Sequence, residues 1–157
     1  MLAVILECLH AYPGLRVLIA RKDFNDLRLS TMESWRDVRP RELIKHEDKQ
    51  EHREEWWNGS QIFFRELKDM EGLGGQEFGI ILVSEPYELD NEIYIRLKGR
   101  LSQSGMPHML LMEGNPPNEG HWLHSLVCGT DRQRPDPDIT FMTVTTDENW
   151  NNLPEAY

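Results

Sequence analysis

The sequence predicts an α/β fold with a mainly parallel sheet, flanking helices and one β-hairpin. Three observations point there. Short apolar runs, "RVLIAR" at 16–21, "FGIILVSE" at 78–85 and "HMLLMEGNPP" at 108–117, have the length and composition of strands covered on both faces. Helical segments alternate with them. Asn58-Gly59 is the strongest short turn signal in the chain, flanked by Trp56, Trp57, Ile62 and Phe63. At 157 residues the chain is long enough for one compact domain with a real core.

The elements follow in order. Residues 2–11 read as a buried helix that Pro13-Gly14 stops. This opening lacks a basic leader segment and carries Glu7 and His10. It is far too short to cross a bilayer, so the expected location is the cytoplasm, with no membrane partner. The 16–21 strand comes next. Ser30 and Glu33 then have capping-box spacing for a helix through Val38, which Pro40 ends. Residues 51–67 form the expected hairpin, and Gly72, Gly74 and Gly75 mark a loop. After the 78–85 strand, Asp90 or Asn91 can cap a helix bearing Ile93, Leu97 and Leu101. The 108–117 strand runs into a turn, 119–128 is a short helix, 139–146 a last strand, and 147–157 an extended tail.

Charge narrows the partners. The net charge of −10 makes the surface as a whole repel nucleic acid. Residues 21–45 are the exception, with seven Lys/Arg against five Asp/Glu, so any DNA contact has to be local. Cys8 and Cys128 sit in apolar stretches and suggest buried thiols in a reducing compartment.

Four sets of residues carry candidate chemistry. Glu85, at the carboxyl end of a buried strand, can align a water for phosphoryl transfer, or it is merely the acid that leads a chain out of a strand. Asn115 before Pro116-Pro117 is a phosphate-sensing amide or plain turn chemistry. Arg21, with Lys22, meets phosphate or simply solvates a strand end. His121, His124 and Cys128 have the spacing of one helical face and make a zinc-dependent hydrolase conceivable, although no fourth ligand is evident. These 157 residues contain no G-x-x-x-x-G-K-[ST].

Taken in order, "YPGLRVLIARKDFNDLRLSTMESWRDV", "NGSQIFFRELKDMEGLGG", "FGIILVSEPYEL", "HMLLMEGNPPNEGHWLHSL" and "TTDENWNNLPEAY" resemble the ATPase domain of the phage terminase large subunit. The resemblance implies a P-loop NTPase-like (ASCE/RecA-like) sheet without its first strand and P-loop. Residues 1–146 are then a partial ATPase domain, and 147–157 an exit segment toward a nuclease domain. It places Glu85 on the catalytic carboxylate, Asn115 on the residue coupling hydrolysis to movement, and Arg21 on a basic strand-end residue. Ser84 falls where the resemblance expects the metal-holding Asp; a hydroxyl there can ligate magnesium but brings no negative charge, so metal retention should weaken. ATP and Mg2+ are the implied cofactors. The implied partners are a P-loop-bearing segment or other terminase subunits, the portal and prohead, and double-stranded DNA. A terminase fragment is thus the expectation, as one piece of a split gene, a mis-started chain or a prophage remnant. A non-catalytic interaction protein with the same fold is the alternative.

Overall fold

The computed structural model describes residues 1–68, 73–129 and 137–143. The chain divides into two compact units, Met1–Pro117 and Asn118–Tyr157. The first holds one six-stranded sheet of order β2-β3-β4-β1-β5-β6. Its strands are β1 (Arg16–Arg21), β2 (Ile44–Asp48), β3 (Arg53–Trp56), β4 (Gln61–Glu66), β5 (Ile80–Ser84) and β6 (Met109–Glu113). β4, β1, β5 and β6 run parallel, and β2 and β3 extend the sheet antiparallel.

The unbroken apolar runs have a direct physical cause. β1 and β5 lie inside the sheet with helices on both faces, so both side-chain sets are buried. Val17, Ile19, Ile80 and Leu82 face one layer, together with Ile5 and Leu9 of α1 (Leu2–Ala11), Leu27 of α2 (Phe24–Leu29) and Trp35 of α3 (Thr31–Val38). Leu18, Ala20, Ile81 and Val83 face the other, together with Leu97 of α4 (Asn91–Lys98). Ile5 and Leu9 are fully buried one helical turn apart, and each such side chain contributes about 1.5–3 kcal/mol relative to exposure.

The hairpin forms at the expected place: β3 pairs antiparallel with β4, and Gly59 at φ +81° supplies the left-handed residue of the turn. Asn58 fixes it further, its side-chain amide donating to the Leu9 carbonyl at 2.6 Å.

Several local expectations are corrected. β2 was not anticipated, because "IKHED" is mostly charged and lies at a sheet edge. The Ser30–Glu33 capping box does not form. Ser30 closes α2 and opens α3 at once, and its hydroxyl donates to the Asp26 carbonyl at 2.6 Å, while Glu33 pairs with Arg36. Asp90 is the N-cap of α4 but makes no side-chain capping bond, and the helix ends before Leu101. The helix expected at 119–128 is α5 (Trp122–Cys128) in the second unit. Residues 139–143 form no strand, and 144–146, Gly72 and the 147–157 segment lie outside the described residues. The thiols are not both buried: Cys8 is partly covered and Cys128 exposed. None of the described helices is long and apolar enough to cross a membrane.

Candidate functional site

Parallel register brings three chain ends to one rim. Arg21 closes β1, Ser84 closes β5, and Ser84 is register-paired with Glu113, the last residue of β6. A cleft of about 350 Å³ opens there, lined by Arg21, Ser30, Thr31, Ser34, Ser84, Glu85, Glu113 and Gly114.

The chain leaves β5 by a sharp bend. Glu85 adopts φ 53°, ψ 57°, in the left-handed region that costs a non-glycine residue of order 1 kcal/mol, and Pro86 follows. The bend is held from the neighbouring strand. The Glu85 N–H donates to the Glu113 carbonyl at 2.7 Å, and Glu85 Oε2 accepts the Asn115 N–H at 3.3 Å. Between these two bonds lies Gly114, whose lack of a side chain lets the carboxylate approach. A Cβ there would stand 2.5 Å from Glu85 Oε2.

Arg21 is tied down. Its Nη2 meets Glu88 Oε1 at 2.9 Å, its Nε donates to Glu88 Oε2 at 3.3 Å, and its Nη1 donates to Ser30 Oγ at 3.3 Å. The hydrogen bond to Glu88 raises its pKa further, against the opposing effect of burial. Arg21 therefore clamps β1 to the turn after β5, and Glu88 matches its charge. Glu85 and Glu113 add two carboxylates with no such partner among the described residues, so the rim is acidic on balance.

Ser84 is 5% exposed. Its hydroxyl accepts from Thr31 Oγ1 at 2.8 Å and donates to Glu113 Oε1 at 3.2 Å. The hydroxyl's proton and one of its two lone pairs are thus committed inside the protein.

Arg21, Ser84 and Glu85 are brought together at this rim, while Asn115 reaches it through its backbone. Glu113, Thr31 and Glu88 were missed. Glu113 was readable in principle, as the last residue of the apolar run that pairs with the 80–84 strand. The histidine–cysteine set does not form the shared face expected of it. His121 is the N-cap of α5, and its Nδ1 accepts the Leu123 N–H at 3.2 Å. Among the described residues no group of three His, Cys, Asp or Glu is arranged to hold a metal.

Residues 4–157 match the family model of the phage terminase large subunit. The chain belongs to that family. No curated protein sequence matches it. Solved terminases share the fold. The large terminase of a thermophilic bacteriophage in complex with ADP superposes with a TM-score of 0.74 at 13% identity, over 99% of this chain and 38% of that one. The same terminase in complex with ATP-γ-S gives 0.65 at 15% identity, over 99% of this chain and 37% of that one. An ATPase-domain mutant of the Thermus phage P74-26 large terminase gives 0.61 at 13% identity, over 92% of this chain and 69% of that one. This terminase chain spans little more than a third of the first relative's length.

The magnesium ion that the resemblance implies is a direct test of position 84. A ligand oxygen must offer a lone pair toward the ion, and hard cations favour charged oxygens. The terminase chain presents at 84 a neutral, buried hydroxyl with one lone pair left and no charge. Ser84 would be a neutral, weaker ligand for such an ion than a carboxylate.

Proposed function

We propose that this terminase chain forms the part of a DNA-packaging ATPase that supplies the water-aligning carboxylate, Glu85, and the turn that couples its position to movement, residues 113–115. In the intact protein, ATP hydrolysis at this rim drives double-stranded viral DNA into the prohead, in the host cytoplasm. The observation carrying this reading is the grip on Glu85: a carboxylate at a buried strand end, held by the Asn115 N–H of the next strand's turn. A general base must be oriented before it is useful, and a fixed carboxylate at the carboxyl ends of parallel strands is where ligands of such sheets bind. Coupling follows from the same bond. Any shift of the 113–115 turn moves the carboxylate, so the backbone of Asn115, rather than its side chain, is the group we assign to it.

The rim does not hold a triphosphate by itself. Its two carboxylates without an ion-pair partner among the described residues repel phosphate, Arg21 is neutralised by Glu88, and no glycine-rich lysine loop occurs in these residues. The ADP and ATP-γ-S bound by the solved relatives support a nucleotide ligand for the assembled site. The phosphate-gripping groups come from another segment.

Co-expression with a terminase segment carrying G-x-x-x-x-G-K-[ST] tests this. The pair is expected to hydrolyse ATP, and Glu85→Gln to lower the rate by about 100-fold, the usual worth of a positioned base. The chain alone is expected to show no turnover. An undiminished rate in the Glu85→Gln pair rules the assignment out.

The neutral hydroxyl of Ser84, which brings no charge to hold a metal ion, favours one second reading, a non-catalytic terminase-like subunit that binds packaging components. It predicts capture of portal or terminase partners with no hydrolysis in any co-expressed pair.

A further inference from the structure

Position 84 was expected to carry an acid and carries a hydroxyl, yet a carboxylate stands beside it. Ser84 and Glu113 are partners in the parallel register of β5 and β6, and Ser84 Oγ donates to Glu113 Oε1 at 3.2 Å. Ser84 in turn is fixed by Thr31, the first residue of α3, whose hydroxyl donates to it at 2.8 Å. Three elements thus converge on one carboxylate. α3 orients the serine, the serine orients Glu113, and the turn directly after Glu113 grips Glu85 through the Asn115 N–H.

We propose that positions 84 and 113 share a single negative charge, that in this chain the charge sits on β6 as Glu113, and that Glu113 is a positioning residue for Glu85. The inference rests on the reading of this rim as the ATPase site. Chemistry sets the limit to one charge. Two carboxylates at these register-paired positions would lie within about 3–4 Å, a separation at which both cannot ionise without a large penalty. The remaining charges that face the pair do not relieve it. Arg21 on β1 is engaged by Glu88 and lies 4.0 Å from Asp26, and Glu85 adds a further negative charge. A serine at 84 therefore goes with an acid at 113, with the hydroxyl supplying the hydrogen bond that aims it.

The test is a charge-exchange cycle on the full chain, read by thermal melts at pH 8 and pH 5. Ser84→Asp alone is expected to lower the melting temperature by about 5 °C at pH 8. The loss should shrink at pH 5, because crowding raises one carboxyl's folded-state pKa and protonation then relieves it. Ser84→Asn, similar in size to Asp but neutral, should lose less at pH 8 and show no such pH dependence. The exchanged variant, Ser84→Asp with Glu113→Ser, should melt close to the original chain at both pH values. A Ser84→Asp chain as stable as the original, or an exchanged variant as unstable as Ser84→Asp, overturns the proposal. A positioning role adds a second readout. Amide exchange at Asn115 should quicken several-fold in Glu113→Ala and remain near the original in Glu113→Gln, whose amide oxygen still accepts from Ser84. Equal exchange in both variants leaves Glu113 with no hold on the turn and also overturns it. None of these measurements needs nucleotide, so they can fail while the ATPase pairing experiment succeeds, or the reverse.

Discussion

A Cβ at position 114 would stand 2.5 Å from Glu85 Oε2 and 3.0 Å from Glu85 Cα. That single steric fact makes Gly114 part of the site although it has no chemistry of its own. Glu85 is already strained into the left-handed region, so the carboxylate has little room to retreat. Gly114→Ala should therefore cost about 1–3 kcal/mol of stability, the usual penalty of overpacking, with the disturbance confined to the 84–86 and 113–115 segments. Chemical denaturation with local amide exchange measures it. A Gly114→Ala chain as stable as the original would mean that the bend relaxes freely and that Glu85 is not gripped. At this scale the sequence was readable in part. Glu85, Arg21 and Asn115 were singled out because strand-end position follows from the apolar runs. Gly114 and Glu113 were not, because their roles depend on which strand lies beside which, and no local pattern records strand order.

Among the elements, α3 is followed by a buried ion pair that anchors its C-terminal end. Arg39, just past the helix, contacts Glu54 of β3 and lies 3.5 Å from Glu47 of β2. Glu54 is 2% exposed and also accepts from Trp35 Nε1 at 3.1 Å. Burial pulls the Arg39 guanidinium below its ordinary pKa, against Glu47. The charge is retained because it is paired. Glu54→Ala leaves that guanidinium and the Trp35 donor without a buried acceptor, and should cost about 3–5 kcal/mol. Replacing both partners with apolar residues, Arg39→Met with Glu54→Leu, should cost much less than the two single changes together. Additive losses in a denaturant double-mutant cycle would show that the pair acts only as filler. The pair also explains why β2 and β3 were harder to read than β1 and β5. β3 is "REEW", in which the buried Glu54 replaces an apolar residue, so its alternation looks polar while its packing is not. The strands with uninterrupted apolar faces were legible. Those whose inward positions are ionic were found only through the Asn-Gly turn beside them, or not at all.

For the whole molecule the informative contrast lies between the two edges of the sheet. β2 closes one edge with Lys45, His46, Glu47 and Asp48, charged residues of the kind that discourage a further strand from pairing. β6 closes the other with Met109, Leu110, Leu111 and Met112, each half-buried. Outer backbone groups beside an apolar run are a ready template for another strand. The same strand carries Glu113 and leads into the turn that grips Glu85, so whatever pairs with β6 also stiffens the proposed site. Backbone pairing at an open edge is chemically unselective, and a second copy of the chain supplies an equivalent strand. The purified chain should therefore self-associate with rising concentration, detectable by sedimentation. A lysine at the apolar edge, Leu111→Lys, should suppress that association, whereas Lys45→Val at the guarded edge should open a second route to it. A chain that remains monomeric at high concentration, with neither substitution changing its sedimentation, would show that the β6 edge is already satisfied within the molecule. The order at the rim would then belong to this chain alone.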